Sequence, residues 1–112
     1  MATIIAGDTR PFVATLKIGT SVVPIDNADM VTVMFVDPKT KTPITLPWPS
    51  LSTDPGAIWA QGKVTVKIPD TESIKLDAYD GKSVMLAIQL ESVTLGKKEW
   101  QGTYSIKKGY IP

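Results

Sequence analysis

The chain predicts an all-β fold, an antiparallel immunoglobulin-like β-sandwich of about seven to eight strands in a single domain over residues 1–112. Three observations carry this expectation. Apolar and polar residues alternate with a period of two in run after run. Turn-forming residues interrupt those runs at roughly the 8–12-residue spacing of such folds. Helix signals are nearly absent. A small barrel is the main rival. The length suits one domain and suffices to bury a core without disulfide or metal staples.

Taken in order, "RPFVATLKI" puts Phe12, Ala14, Leu16 and Ile18 on one face. "MVTVMFV" is almost continuously apolar, as in a central strand covered on both faces, and places Val31, Val33 and Phe35 in the core. "KVTVKI" is the cleanest alternation, with Val64, Val66 and Ile68 one way and Lys63, Thr65 and Lys67 the other. "SVMLAIQLES" sets the row Val84, Leu86, Ile88 and Leu90 against Ser83, Met85, Ala87, Gln89 and Glu91. "EWQGTYSIK" turns Trp100, Tyr104 and Ile106 inward, with Trp100 as the large central core aromatic. Turns fall at Gly7-Asp8, Gly19-Thr20, Asp26-Asn27, Asp37-Pro38, Asp54-Pro55-Gly56, Asp80-Gly81 and Leu95-Gly96. "DTESIKLDAYDG" is the one candidate helical stretch, expected as a loop with at most a turn or two of helix capped by Asp70. Two sheets that face their apolar rows gain roughly 1.5–3 kcal/mol for each Val, Leu or Ile fully buried.

Composition narrows the chemistry. Twelve basic and eleven acidic residues give a formal charge of +1, with no basic stripe, so no nucleic-acid partner is expected. No apolar run approaches the ~18–20 residues of a membrane span, so no membrane partner is expected. The start "MATIIAGDTR" lacks a basic segment followed by a long apolar one, so synthesis in a cytoplasm without a secretory signal is expected. There is no cysteine and no histidine, which removes disulfides, thiolate nucleophiles, Ser-His-Asp triads and His- or Cys-ligated metals. The carboxylate pairs Asp26/Asp29 and Asp77/Asp80 lie in turns and read as caps and solubilising groups. A calcium loop at Asp26, Asn27 and Asp29 lacks the oxygen count of a recognisable site. No phosphate-binding glycine motif occurs. No enzyme activity, cofactor or metal is expected.

The most informative surface stretch is "PITLPWPSLSTDPGAIWA", residues 43–60. Pro47 and Pro49 fix two φ angles, remove two donors, and bias Leu46 and Trp48 toward extended backbone. Two readings of Trp48 stay open: it folds back to plug the open end of the sandwich, or it anchors a protein–protein interface from a pre-stiffened segment. Sugar stacking is a third, weakly served by Ser50, Ser52 and Thr53. Trp59 is expected in the core or at a sheet edge.

Several segments together carry a family resemblance: "IIAGDTRPFVATLKIG", "VPIDNADMVTVMFVDPKTKTPI", "DPGAIWAQGKVTVKIP", "VMLAIQLESVTLGKKEW" and "YSIKKGYI". Across nearly the whole chain they resemble the N-terminal immunoglobulin-like domain of phage baseplate upper proteins and related tail-fibre modules. Those proteins usually continue into a longer fibre-bearing part, so a chain ending at Pro112 is expected to be a small adaptor, collar, baseplate or capsid-decorating subunit. The resemblance implies a virion structural protein without a catalytic centre, packed in a multi-copy symmetric assembly against other virion proteins. Contacts would come from Pro47, Trp48 and Pro49, from flat polar faces, and from strand addition by residues 2–5, including Ile4, and 107–112, including Tyr110 and Ile111. Two rival classes make different predictions. A carbohydrate-binding host-attachment module needs Trp48, Trp59 and Tyr79 as an exposed aromatic platform, and an enzyme needs a deep pocket with converging carboxylates.

Overall fold

The computed structural model describes residues 2–7 and 10–108. Strands dominate and helices are short, so the chain is all-β. The strands are β1 (Ala2–Ala6), β2 (Phe12–Thr15), β3 (Lys17–Ile18), β4 (Ser21–Val22), β5 (Met30–Val36), β6 (Trp48–Ser50), β7 (Lys63–Val66), β8 (Ser83–Ser92) and β9 (Gly96–Lys108). Five of them make one curled sheet in the order β1-β9-β8-β5-β6, while β2 pairs with β7 and β3 with β4.

Local chemistry sets the long β8–β9 hairpin. Ser92 stands opposite Gly96, and Ser92 Oγ accepts the N–H groups of Thr94 and Leu95 at 3.2 Å. Gly96 takes φ +74°, the left-handed position that closes a three-residue hairpin loop. β5 lies centrally, with Val33 opposite both Ile88 of β8 and Trp48 of β6. Its apolar run is explained by a covered inner face and a partly covered outer one.

One edge departs from the antiparallel expectation. β1 runs parallel to β9, from Ala2 opposite Tyr104 to Ala6 opposite Lys108. Only hairpin-linked neighbours are obliged to be antiparallel. β1 leads instead into β2 of the other layer, so nothing local dictates its direction. Residues 2–5 are therefore occupied by the chain's own last strand.

The core joins the inward rows of β5 (Val31, Val33, Phe35) and β8 (Val84, Leu86, Ile88, Leu90) to Leu16, Val64, Val66 and Ile68 of the facing layer and to Leu76 of the helical segment. That facing layer is thin. Besides β2 and β7 it consists of chain threaded alongside them: Leu16 N–H donates to Gly62 O, Val23 N–H to Leu16 O, and Ile25 N–H to Trp59 O, at 2.8–2.9 Å. Trp59 is buried here, in a 3-10 turn (Trp59–Gln61).

Four expectations are corrected by this arrangement. Trp100 is only half-buried and packs at the margin of the core, because the two-stranded layer ends beneath it; its Nε1–H donates to Lys17 O at 2.8 Å. Ile18 is 51% exposed, since the inward row of β2 ends at Leu16 and β3 pairs only with β4. Thr65 is buried although it points away from the core, because its Oγ1–H donates to Pro55 O (2.7 Å) in the loop that covers β7. Asp70 does not cap. It is the first residue of α1 (Asp70–Ser73), with Pro69 in the capping position at ψ 147°, and a 3-10 helix (Ile74–Tyr79) continues α1.

Candidate functional site

The Pro-Trp-Pro segment is an edge strand, and period two decides which way its tryptophan faces. In β6, Trp48 and Ser50 are buried while Pro49 between them is exposed. Proline is tolerated because β6 is the last strand of its sheet. Trp48 is 8% exposed and its ring centroid lies 6.0 Å from that of Phe35. The inward reading describes the fold, and the outward anchor is corrected: no free ring face remains for a partner. Its Nε1–H, like that of Trp59, finds no acceptor among the described residues.

The segment before β6 is tied down by one backbone bond and by side chains that stand in for a ladder. Ile44 N–H donates to Phe35 O at 2.9 Å, and Thr45 Oγ1 accepts Phe35 N–H at 3.0 Å. Leu46 N–H donates to Glu72 Oε1 at 2.7 Å, and Lys75 Nζ reaches the same oxygen at 2.8 Å. Glu72 is buried, and the Lys75 ammonium first, then the Leu46 N–H, hold its carboxyl below the usual carboxylate range. Asp37 is lowered too, by the Lys39 N–H and then by the Tyr79 hydroxyl, which donates to its Oδ2 at 2.9 Å. A carboxylate whose pKa falls on folding stabilises the fold above its unfolded pKa, and that contribution disappears as pH falls through the lowered one. The melting temperature is therefore expected to fall on acidification through the carboxylate range. Glu72→Gln should flatten part of that slope as pH falls below the ordinary carboxylate range and through the lowered pKa of Glu72. An unchanged slope in thermal melts would show that this clamp contributes none of it.

The other named residues are not brought into one site. Pro47 and Pro49 are exposed beside the buried Trp48. Ile4 is 8% exposed in β1 and belongs to the core. Tyr110 and Ile111 lie outside the described residues. The aromatic platform is not formed, because Trp48 and Trp59 are buried and Tyr79 is half-buried against Asp37. The Asp26/Asp29 pair serves its own turn, whereas Asp80 ties the end of β9. Asp29 Oδ2 accepts Asp26 N–H and Asp26 Oδ1 accepts Ala28 N–H, both at 3.0 Å, while Asp80 Oδ1 accepts Lys108 N–H at 2.9 Å.

Two surfaces that sequence reasoning did not locate come from strand register. The first is the outer face of the five-stranded sheet. Residues paired across strands share a face. Two adjacent rows therefore run Met34–Ala87–Gln101 and Val36–Met85–Thr103 without a charge. Charges return only beyond them, at Glu99 and the Glu91–Lys97 pair (3.3 Å) toward one end and at Lys107 toward the other. The second is an open groove of about 540 Å³ between β1 and β2, lined by Ile5, Phe12, Val13 and Tyr104 and also by Arg10 and Pro11, among others. Comparison with known proteins found no family model, no curated protein and no solved structure that matches this chain.

Proposed function

We propose that the chain is a structural module of a bacteriophage virion: a small immunoglobulin-like sandwich that docks on other virion proteins, in baseplate, tail, collar or fibre attachment, and carries no reaction centre. It is made in the bacterial host cytoplasm and works in multiple symmetric copies. The sandwich reading is supported by chain order. In the immunoglobulin arrangement C, F and G share one sheet, extended by C′, while B and E belong to the other. Here β5, β8 and β9, extended by β6, stand in the first set of places, and β2 and β7 in the second.

The observation that carries the docking reading is the uncharged centre of the outer sheet face. Interface cores are depleted of charge and enriched in methionine. Met34 and Met85, half-buried beside Ala87 and Val36, fit that description on a strand-rigid platform. Met85→Lys places an ammonium in the middle of it. The variant should reach purified particles at least tenfold less often than the wild-type chain, since an unpaired charge at a buried contact costs several kcal/mol. Its melting temperature as an isolated domain should stay within roughly 2 °C of wild type. Wild-type incorporation of Met85→Lys, measured by quantitative mass spectrometry of particles, would exclude this face, and a wild-type chain missing from particles would remove the function.

A further inference from the structure

The charges at the two ends of the outer sheet face are opposite in sign. β9 keeps an unbroken register, with β8 from Gly96 to Ser105 and with β1 from Tyr104 to Lys108. Lys97, Glu99, Gln101, Thr103, Ser105 and Lys107 therefore share the outer face. The Lys97 ammonium lies 3.3 Å from Glu91 of β8, so those two charges answer each other. That leaves a carboxylate, Glu99, toward one end of the row and an ammonium, Lys107, at the other, both exposed. Neither has an ion-pair partner among the described residues. Eight residues separate them, about 26 Å along the strand. Thr103 stands midway, level with Met85 of β8 and Val36 of β5, inside the uncharged block.

We propose that this face packs on the same face of a second copy of the chain, turned end for end. The proposal rests on the reading of the chain as an assembly module and names the partner of its uncharged face. Charge complementarity selects both the occupant and the orientation. A two-fold axis lying across the strands at the level of Thr103 sets β9 against the second copy's β9, running the opposite way. Glu99 then faces the partner's Lys107, Lys107 faces the partner's Glu99, and Met85 meets the partner's Met85 near the axis. Methionine, unbranched and polarizable, adapts to such a contact. An axis along β9 would instead set Glu99 on the partner's Glu99 and Lys107 on the partner's Lys107, which like-charge repulsion disfavours. The curl of the sheet confines the contact to its central strands β9, β8 and β5. Their footprint, about 14 Å by about 26 Å, falls well short of the roughly 800 Å² per partner of a stable complex. The pair is accordingly weak, formed where copies are already concentrated, as in a multi-copy assembly.

Sedimentation of the purified full chain over a concentration series up to about 1 mM tests this. The chain is expected to dimerise within that range, and the midpoint should rise with salt. Glu99→Lys and Lys107→Glu should each raise the midpoint at least tenfold, because each sets two pairs of like charges face to face. An equimolar mixture of the two variants should recover wild-type association, since a mixed pair restores both attractions. The double variant Glu99→Lys with Lys107→Glu should recover it as well. Melting temperatures measured on dilute samples should match wild type, because both side chains are exposed. A chain that stays monomeric throughout overturns the proposal. So do single variants that associate as well as wild type, or a mixture that associates no better than its components. If the chain is monomeric while Met85→Lys still keeps it out of particles, another virion protein covers this face: the second copy is wrong and the assembly reading stands. If the charge exchange holds in solution and the chain is absent from particles, the dimer is right and the virion role is lost.

Discussion

Replacing Trp48 with alanine is expected to cost about 3–5 kcal/mol, the range for deleting a buried large aromatic. At roughly 4 °C per kcal/mol for a domain of this size, the melting temperature should fall by about 12–20 °C. Most of the loss comes from the cavity left against Phe35, whose ring lies 6.0 Å from that of Trp48. Trp48→Phe separates the contributions. It keeps an aromatic on Phe35 and removes an indole N–H that has no acceptor among the described residues. An unsatisfied buried donor costs about 1–3 kcal/mol, so Trp48→Phe should lose distinctly less than Trp48→Ala. Thermal melts of the isolated domain decide it. An alanine variant that melts within roughly 2–3 °C of wild type, on the same scale, would put Trp48 on the surface and revive the outward anchor.

Gly62→Ala is the second large effect, and it is a backbone effect. Gly62 has φ +71°, a left-handed conformation that costs an L-residue about 1–2 kcal/mol. An added Cβ would also stand 2.9 Å from Leu16 O, 2.9 Å from Val23 O and 3.1 Å from Val23 N. Those atoms cannot simply retreat. Leu16 N–H donates to Gly62 O at 2.8 Å, and Leu16 O accepts Val23 N–H at 2.9 Å, so any shift loosens the contact that seats the 16–25 segment on β7. Overpacking of this kind costs about 1–3 kcal/mol, for a total of about 2–5 kcal/mol. Gly81→Ala is the control. Gly81 has φ +75° with nothing within 4 Å of an added Cβ, so only the conformational cost applies. Chemical denaturation should rank Gly62→Ala well below Gly81→Ala in stability, and equal losses would show that the close approach carries no energy.

The candidate surfaces were less legible in the sequence than the strands were. Met85, Ala87 and Gln101 could be assigned to an outward face from alternation alone. That they form a block with Met34 and Val36 required knowing that β8 lies between β5 and β9 in a particular register. Glu72 sits three residues before Lys75, so their ion pair is local and readable. Its bond to Leu46, 26 residues away, is not. The groove between β1 and β2 exists because the first strand pairs with the last, a contact that no local pattern encodes.

The sequence by itself determined the all-β character, the inward rows of β5, β7 and β8, the β8–β9 turn and the brevity of the helical segment. Each follows from alternation or turn chemistry within a few residues. The tertiary structure alone decided that Trp48 is core and Trp100 marginal. Both occupy inward positions, and their burial depends on how far the opposite layer extends over them. It also decided that the first strand joins the last in parallel, so that among the described residues β2 pairs only with β7. Strand order and edge coverage are set by contacts between residues far apart in the chain, and those depend on the packing of the whole molecule.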